Sequence, residues 1–255
     1  MADAGGGNVT ASSNSTPLIS VITVTRNSAE HLAGCLDSVA AQDGVAFEHG
    51  VVDGASTDGT VEMLRARNDP RLQWISEPDA GIYDAMAKAV RRTSGQWIYF
   101  LGADDRLRPG ALREMAAHLK EPSTLYYGDV WMVARKKRYD GRFTAWKLAL
   151  KNICQQAIFY PRSVFEVHAF DEQYEIQADW VLNMACRQDP RFRFEYVPLV
   201  VADFNDEGGI SSRKRDLAIE RDYVPLLRRY FPAWISGPLA AAVFTWRWIS
   251  GKKAP

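Results

Sequence analysis

The chain is predicted to fold as an α/β domain, a mostly parallel central sheet flanked by helices, with a helical extension at its C-terminal end. Three observations predict this. Short β-branched apolar runs alternate with amphipathic stretches between residues 18 and 101. Hydrophobic residues make up 47% of the 255 residues and charged residues 24%, the balance of a globular protein with a full core. Acidic and small polar residues gather just past the end of each apolar run, where open α/β sheets bind their ligands.

Residues 18–24 (Leu-Ile-Ser-Val-Ile-Thr-Val) read as a buried parallel strand. Residues 29–42 follow with Leu32, Leu36 and Val39 at helical spacing. A second strand over 48–53 ends in a turn, and Ser56-Thr57-Asp58 reads as a helix start with Val61 and Leu64 facing inward. Residues 72–76 make a third strand. Residues 80–93 make a third helix, with Ile82, Met86 and Ala89 or Val90 inward, and residues 97–101 a fourth strand. This βαβαβαβ run implies right-handed crossovers. Beyond Gly110 a helix over 111–119 and a strand over 125–133 are expected, and residues 158–200 mix short apolar runs with loops that complete the same domain.

The two ends differ from the middle. Residues 1–17 are Gly, Ser, Asn, Thr and Ala without an apolar core or basic start, and read as a flexible tail rather than a signal or transit peptide. Residues 18–212 form the domain. Residues 213–255 read as helical: no charge falls between Phe231 and Thr245, Gly237-Pro238 interrupts the apolar stretch, and Trp234, Trp246, Trp248 and late basic residues give it an interfacial character. Contact with a membrane surface and packing on the domain are both open readings. Spanning a bilayer would need about 20 apolar residues.

Lys+Arg and Asp+Glu balance at 31 each, which argues against a nucleic-acid partner. Three scattered cysteines and four scattered histidines make no disulfide framework and no zinc motif, and suit a reducing, cytoplasmic setting. No Gly-rich dinucleotide loop follows the first strand, and no P-loop exists, so a nucleotide would have to bind through acids and a metal. Asp104-Asp105, after the fourth strand, is the sharpest local feature. Two adjacent carboxylates suit a hard cation such as Mg²⁺ or Mn²⁺, and an ordinary solvated turn is the competing reading. Arg135–Arg138 could meet an anionic lipid diphosphate or be a solvated loop, and Tyr126, Tyr127, Trp131 and Trp146 could stack on sugars or be core.

Taken together, Ile19–Asn27, Val51–Thr60, Ser76–Met86 and Gly95–Asp105 resemble, in order and spacing, a family 2 glycosyltransferase of GT-A fold, of the type that builds bacterial surface polysaccharides. The resemblance covers roughly residues 17 to 210. It implies a metal-dependent, inverting enzyme that moves a sugar from a nucleotide-diphosphate sugar to a saccharide, lipid-linked acceptor. The enzyme would be cytoplasmic, peripheral on the inner face of the membrane. By the same resemblance Asp105 would hold the divalent metal and Asp104 the ribose. Thr25, Arg26, Asn27, Asp53 and Asp84 would line the donor pocket, with Asp84 a better first test than Tyr83. Asp179 would be the catalytic base, with a helix N-cap as its plainer role. Gln155 and Gln156 fall in an acceptor or metal segment where relatives often have His-Gln. Gly208 and Gly209 fall in a closing loop that could act as a lid. Gly54 stands where many relatives carry a second acid, which removes base recognition through that side chain and leaves the nucleotide open. A sugar-phosphate nucleotidyltransferase is disfavoured because Thr25-Arg26-Asn27-Ser28 has no glycine and one Arg. A catalytically silent nucleotide-sugar-binding module is the alternative of another class.

Overall fold

In a computed structural model, residues 16–207 and 215–250 are described, with side chains as far as Thr245. The first four strands are β1 (Ile19–Thr25), β2 (Phe47–Asp53), β3 (Leu72–Ser76) and β4 (Trp97–Phe100). They pair in parallel in the order β3-β2-β1-β4. The crossovers are α1 (Leu32–Ala40), α2 (Thr60–Arg65) and α3 (Ile82–Arg92). The apolar runs form strands because both faces of the sheet are covered. Along β4, Ile98 and Phe100 enter one core while Trp97 and Tyr99 enter the other. On α3 the buried side includes Tyr83, Ala85, Met86, Ala89 and Val90, which adds Tyr83 to the inward positions read from the sequence.

The second half extends the sheet. It runs through β5 (Arg106–Leu107), α4 (Ala111–Ala116), β6 (Thr124–Met132), β7 (Lys137–Tyr139), α5 (Ala145–Leu150), β8 (Ile158–Pro161), α6 (Val164–Val167), α7 (Ala178–Gln188) and β9 (Arg193–Phe204). The full order is β3-β2-β1-β4-β8-β6-β9-β5, with β7 on β6. Here pairing is mixed: β8 is antiparallel to β4 and β6, β9 is parallel to β6, and β5 is antiparallel to β9. The sheet is thus parallel where strand and helix alternate in sequence, and mixed beyond.

Two helices follow, α8 (Leu217–Tyr230) and α9 (Ala233–Ser250). Ile219, Leu226, Leu227, Phe231 and Ile235 are buried in the core shared with α3 and α7. The segment up to Ile235 is therefore packed helix. Gly237-Pro238 does not interrupt α9, which continues through Pro238. The carbonyl that proline leaves unpaired belongs to exposed Trp234, where solvent can satisfy it. Among the described residues, no helix is long and apolar enough to cross a membrane.

The centre of the sheet is tightly packed: Phe159 of β8 is fully buried and stacks on Tyr99 of β4 with ring centroids 4.5 Å apart. Phe159→Ala should cost about 3–5 kcal/mol in urea denaturation with an unchanged slope.

Candidate active site

Because β1 to β4 run parallel, their carboxyl ends bring Thr25, Asp53, Ser76 and the loop after Phe100 to one edge. Asp53 is fully buried and heavily engaged there. Its carboxylate accepts from Ser56 N at 2.9 Å, from Ser76 Oγ at 2.7 Å and from the Ser56 hydroxyl. Asn27 sits at φ +51°, a left-handed turn that Asn tolerates. It ties the β1 and β2 loops together: its Oδ1 accepts from Thr57 N at 2.9 Å and its N donates to Ser56 Oγ at 2.7 Å. Both residues thus shape the edge from within. Thr25 differs, with a buried hydroxyl that has no partner among the described residues. Arg26 is exposed.

The space beside Gly54 is filled by another acid. A Cβ at Gly54 would lie 2.4 Å from Asp79 Oδ2 and 3.3 Å from Arg26 Cδ. A carboxylate therefore does stand beside position 54, delivered by the loop after β3. Sequence reading missed it because Asp79 lies 25 positions away and makes only a local turn bond, to Gly81 N.

Past β4, Asp104 and Asp105 converge over Gly102. A Cβ there would meet Asp105 Oδ2 at 2.4 Å and Asp104 Oδ1 at 3.1 Å, so only glycine leaves room for both carboxylates. Asn205, just beyond β9, donates from N to Asp105 Oδ1 at 2.8 Å and from Nδ2 to Asp104 Oδ2 at 3.2 Å. Asp105 Oδ2 is buried with no hydrogen-bond partner among the described residues. Burial first, and then the charge of Asp104, push the Asp105 carboxyl up to about 7, while Asn205 N and the Gln156 amide partly offset this. Among the described residues no group of three or more His, Cys, Asp or Glu is placed to hold a metal ion. The two adjacent carboxylates are what the chain offers a cation.

Asp179 is the second residue of α7 and 8% exposed. The N-cap is Gln177, so the plain capping role is not the one Asp179 fills. Asn152 Nδ2 donates to Asp179 Oδ2 at 2.6 Å, Asn183 Nδ2 to Asn152 Oδ1 at 2.8 Å, and Tyr160 OH to Asn183 Oδ1 at 2.9 Å. Tyr83 OH lies 3.1 Å from Asp179 Oδ1 and 2.6 Å from the Ile176 carbonyl. A phenol has one proton, and the shorter contact takes most of it. Burial raises the Asp179 carboxyl to about 6 against the pull of these donors. Asp84, by contrast, accepts from Ala80 N at 3.0 Å and pairs with Lys88 at 3.0 Å. It secures the start of α3, while its neighbour Tyr83 reaches the acid, which reverses the order of interest drawn from the sequence.

The two acidic centres are joined by residues 152–156. Asn152 holds Asp179, the Gln156 side chain faces Asp105, and half-buried Cys154 feels both carboxylates. Gln155 turns to α3, its Nε2 3.6 Å from Met86 Sδ. Asn183 and Asn205 had no motif to mark their roles, while Tyr83 and Asn152 lay inside family-like segments without a role of their own; long-range packing brings all four in. The Arg135–Arg138 cluster is largely engaged, Arg135 with buried Asp206 and Arg138 with buried Asp129. Tyr126 and Tyr127 are core. Gly208 and Gly209 lie outside the described residues.

A curled α/β sheet with acids along one edge defines the class, a GT-A fold enzyme. Solved structures agree on the fold. The mannosyltransferase PcManGT from Pyrobaculum calidifontis, in complex with GDP-Man and Mn²⁺, matches with TM-score 0.67 at 20% identity, over 94% of this chain and 77% of that one. S. aureus TarS 1-349 in complex with UDP matches with TM-score 0.62 at 19% identity, over 82% and 65%. In sequence, residues 20–172 match the model of glycosyl transferase family 2. A PGL/p-HBAD biosynthesis glycosyltransferase of Mycobacterium bovis is 41% identical over 204 residues, 77% of this chain and 80% of its own. The chain belongs to glycosyl transferase family 2 and is a glycosyltransferase.

The turn after β2 carries a local cost. Ala55 sits at φ +55°, a region in which a Cβ is unfavourable. Ala55→Gly should stabilise the protein by about 1 kcal/mol in chemical denaturation.

Proposed function

We propose that this glycosyltransferase moves a sugar from a nucleotide-diphosphate sugar to a saccharide acceptor carried on a lipid, with inversion at the anomeric carbon, at the cytoplasmic face of a membrane. The observation that carries the reading is the pair of buried acids with raised carboxyls, Asp105 and Asp179, at the two ends of residues 152–156, Asp105 with one oxygen unpartnered among the described residues. The nucleotide and sugar ligands in the names of the structural neighbours support the donor class, and the M. bovis relative's name supports synthesis of a glycoconjugate.

On the donor side, Thr25 with its unpartnered hydroxyl, exposed Arg26 and Asp79 face the nucleotide, and Asp104 takes the ribose. Asn27, Asp53 and Asp84 hold the loops that form this wall. The orphaned oxygen of Asp105, beside Asp104, fits a divalent cation, Mg²⁺ or Mn²⁺, which these two carboxylates would hold. Such a cation, when bound, offsets the charge that builds on the leaving diphosphate.

On the acceptor side, Asp179 takes the hydroxyl proton. The acceptor oxygen bonds to the anomeric carbon as the bond from that carbon to the diphosphate oxygen breaks, and the nucleoside diphosphate leaves. A carboxyl near 6 is mostly ionised at neutral pH yet more basic than an ordinary aspartate. Asn152, itself held by Asn183 and Tyr160, aims it.

Asp179→Asn should lower kcat by about 10²–10⁴-fold. The wild-type rate should fall on an acidic limb centred near the Asp179 value of about 6. Stability should move the other way. The folded acid holds its proton to higher pH than the unfolded one, so this group's contribution weakens as pH rises through about 6. The Asn variant, which can donate to Tyr83 and accept from Asn152, should therefore melt at pH 7 no lower than wild type. Unimpaired turnover by Asp179→Asn would remove Asp179 as the base.

A nucleotide-sugar at 100 times its dissociation constant should stabilise the protein by about 2.7 kcal/mol in a thermal-shift assay with Mn²⁺. Asp105→Ala should abolish the metal-dependent part of that shift. A shift identical with and without metal in wild type would overturn the cation site.

A further inference from the structure

One surface of the molecule is apolar, exposed and unused by the chemistry above. Trp146 and Leu150 of α5 are 36% and 57% exposed, and Trp234 and Phe244 of α9 are 61% and 52% exposed. The two helices meet here: the Trp146 and Trp234 rings lie edge to face with centroids 5.9 Å apart. A helix facing water normally carries charges on its open side. Among the α9 residues whose side chains are described, the exposed ones are Ala233, Trp234, Gly237, Pro238, Ala241, Ala242, Phe244 and Thr245, none of them charged.

In sequence, the charges near these helices are mostly of one sign. From Tyr223 to Pro255 the sequence has no acidic residue and five basic ones: Arg228, Arg229, Arg247, Lys252 and Lys253. Arg228 and Arg229 are exposed at the end of α8, one short turn before Trp234. On α5, Lys147 and Lys151 share the single acid Asp140, which leaves one positive charge over. Tryptophans on an uncharged helix face with a basic border match what the interface of an anionic bilayer accepts, since indoles settle at headgroup depth and cations pair with phosphates. A second copy of the chain seated on the same face would set these positive borders against one another.

We propose that α5 and the outer face of α9 form one docking surface for an anionic lipid bilayer. The surface is fastened to the catalytic side. Trp180 Nε1, next to Asp179, donates to the Leu148 carbonyl at 2.7 Å, and Tyr223 OH of α8 to the Ala149 carbonyl at 2.8 Å. Two residues beyond Leu150, Asn152 holds the Asp179 carboxylate. Docking therefore sets the distance of Asp179 from the membrane plane, and a lipid-anchored acceptor reaches it without leaving the bilayer. That consequence rests on the transfer reaction proposed above, whereas docking itself is measured without turnover.

The test is flotation of the full chain with vesicles of phosphatidylcholine alone and of phosphatidylcholine mixed with phosphatidylglycerol. Wild type should float with the anionic vesicles, and less so as salt is raised. Trp146→Glu combined with Trp234→Glu should weaken binding roughly tenfold or more, the factor expected for losing one buried aromatic anchor. Val133→Glu, at an exposed apolar residue outside the surface, should bind as wild type. If the double variant does not fold, Arg228→Glu with Arg229→Glu reads the charged border of the same surface and should also weaken binding. Failure of wild type to float, equal flotation with neutral vesicles, or undiminished binding by the folded variants would overturn the proposal. So would a wild-type dimer in sedimentation velocity that the double tryptophan variant dissociates.

Discussion

Holding carboxylates out of water is the constraint on which the site depends, and the chain meets it in two ways. Asp53 and Asp129 are fully buried and well satisfied, the first by Ser56 and Ser76, the second by Arg138, Tyr196 and Gly141. Such acids cost little and fasten loops. Asp105 and Asp179 are buried with their carboxyls raised to about 7 and about 6, and Asp105 keeps one oxygen without a partner among the described residues. An acid left short of partners is where a cation or a proton can be received.

The topology explains how two such acids come to lie at one edge. The parallel half of the sheet turns the loops after β1 to β4 to the same side. The mixed half brings the groups that meet them: Asn205 from the end of β9, and residues 152–156 from the link between α5 and β8. Neither half holds a complete site. Since α5 also carries exposed Trp146, one short segment connects an outer apolar surface to the carboxylate of Asp179.

Much of the fold was legible in the sequence. The four strands of the parallel half fall where strands were read, most plainly β1 and β4, because a strand buried on both faces is largely apolar. The Asp104-Asp105 pair was legible because adjacency is visible in one dimension. Tyr83 was ranked below Asp84, since an aromatic at a helical inward position looks like core, and its hydroxyl's reach to Asp179 spans 96 positions. The basic cluster at 135–138 looked free, because its partners lie elsewhere in the fold, Asp129 in β6 and Asp206 in the turn after β9.

By itself, the sequence determined the alternation of strand and helix, the clustering of acids after the strands and the charge-free stretch near the end. These follow from composition and period, which are local properties. Tertiary structure alone decided which acids are satisfied and which are not. It placed Asp79 against Gly54, brought Asn205 to Asp105 and built the Tyr160–Asn183–Asn152 chain that holds Asp179. It also decided that α9 buries Ile235 yet leaves Trp234 open beside Trp146. The reason is physical: burial and hydrogen-bond satisfaction depend on every segment that packs around a group, and those segments are distant in the chain.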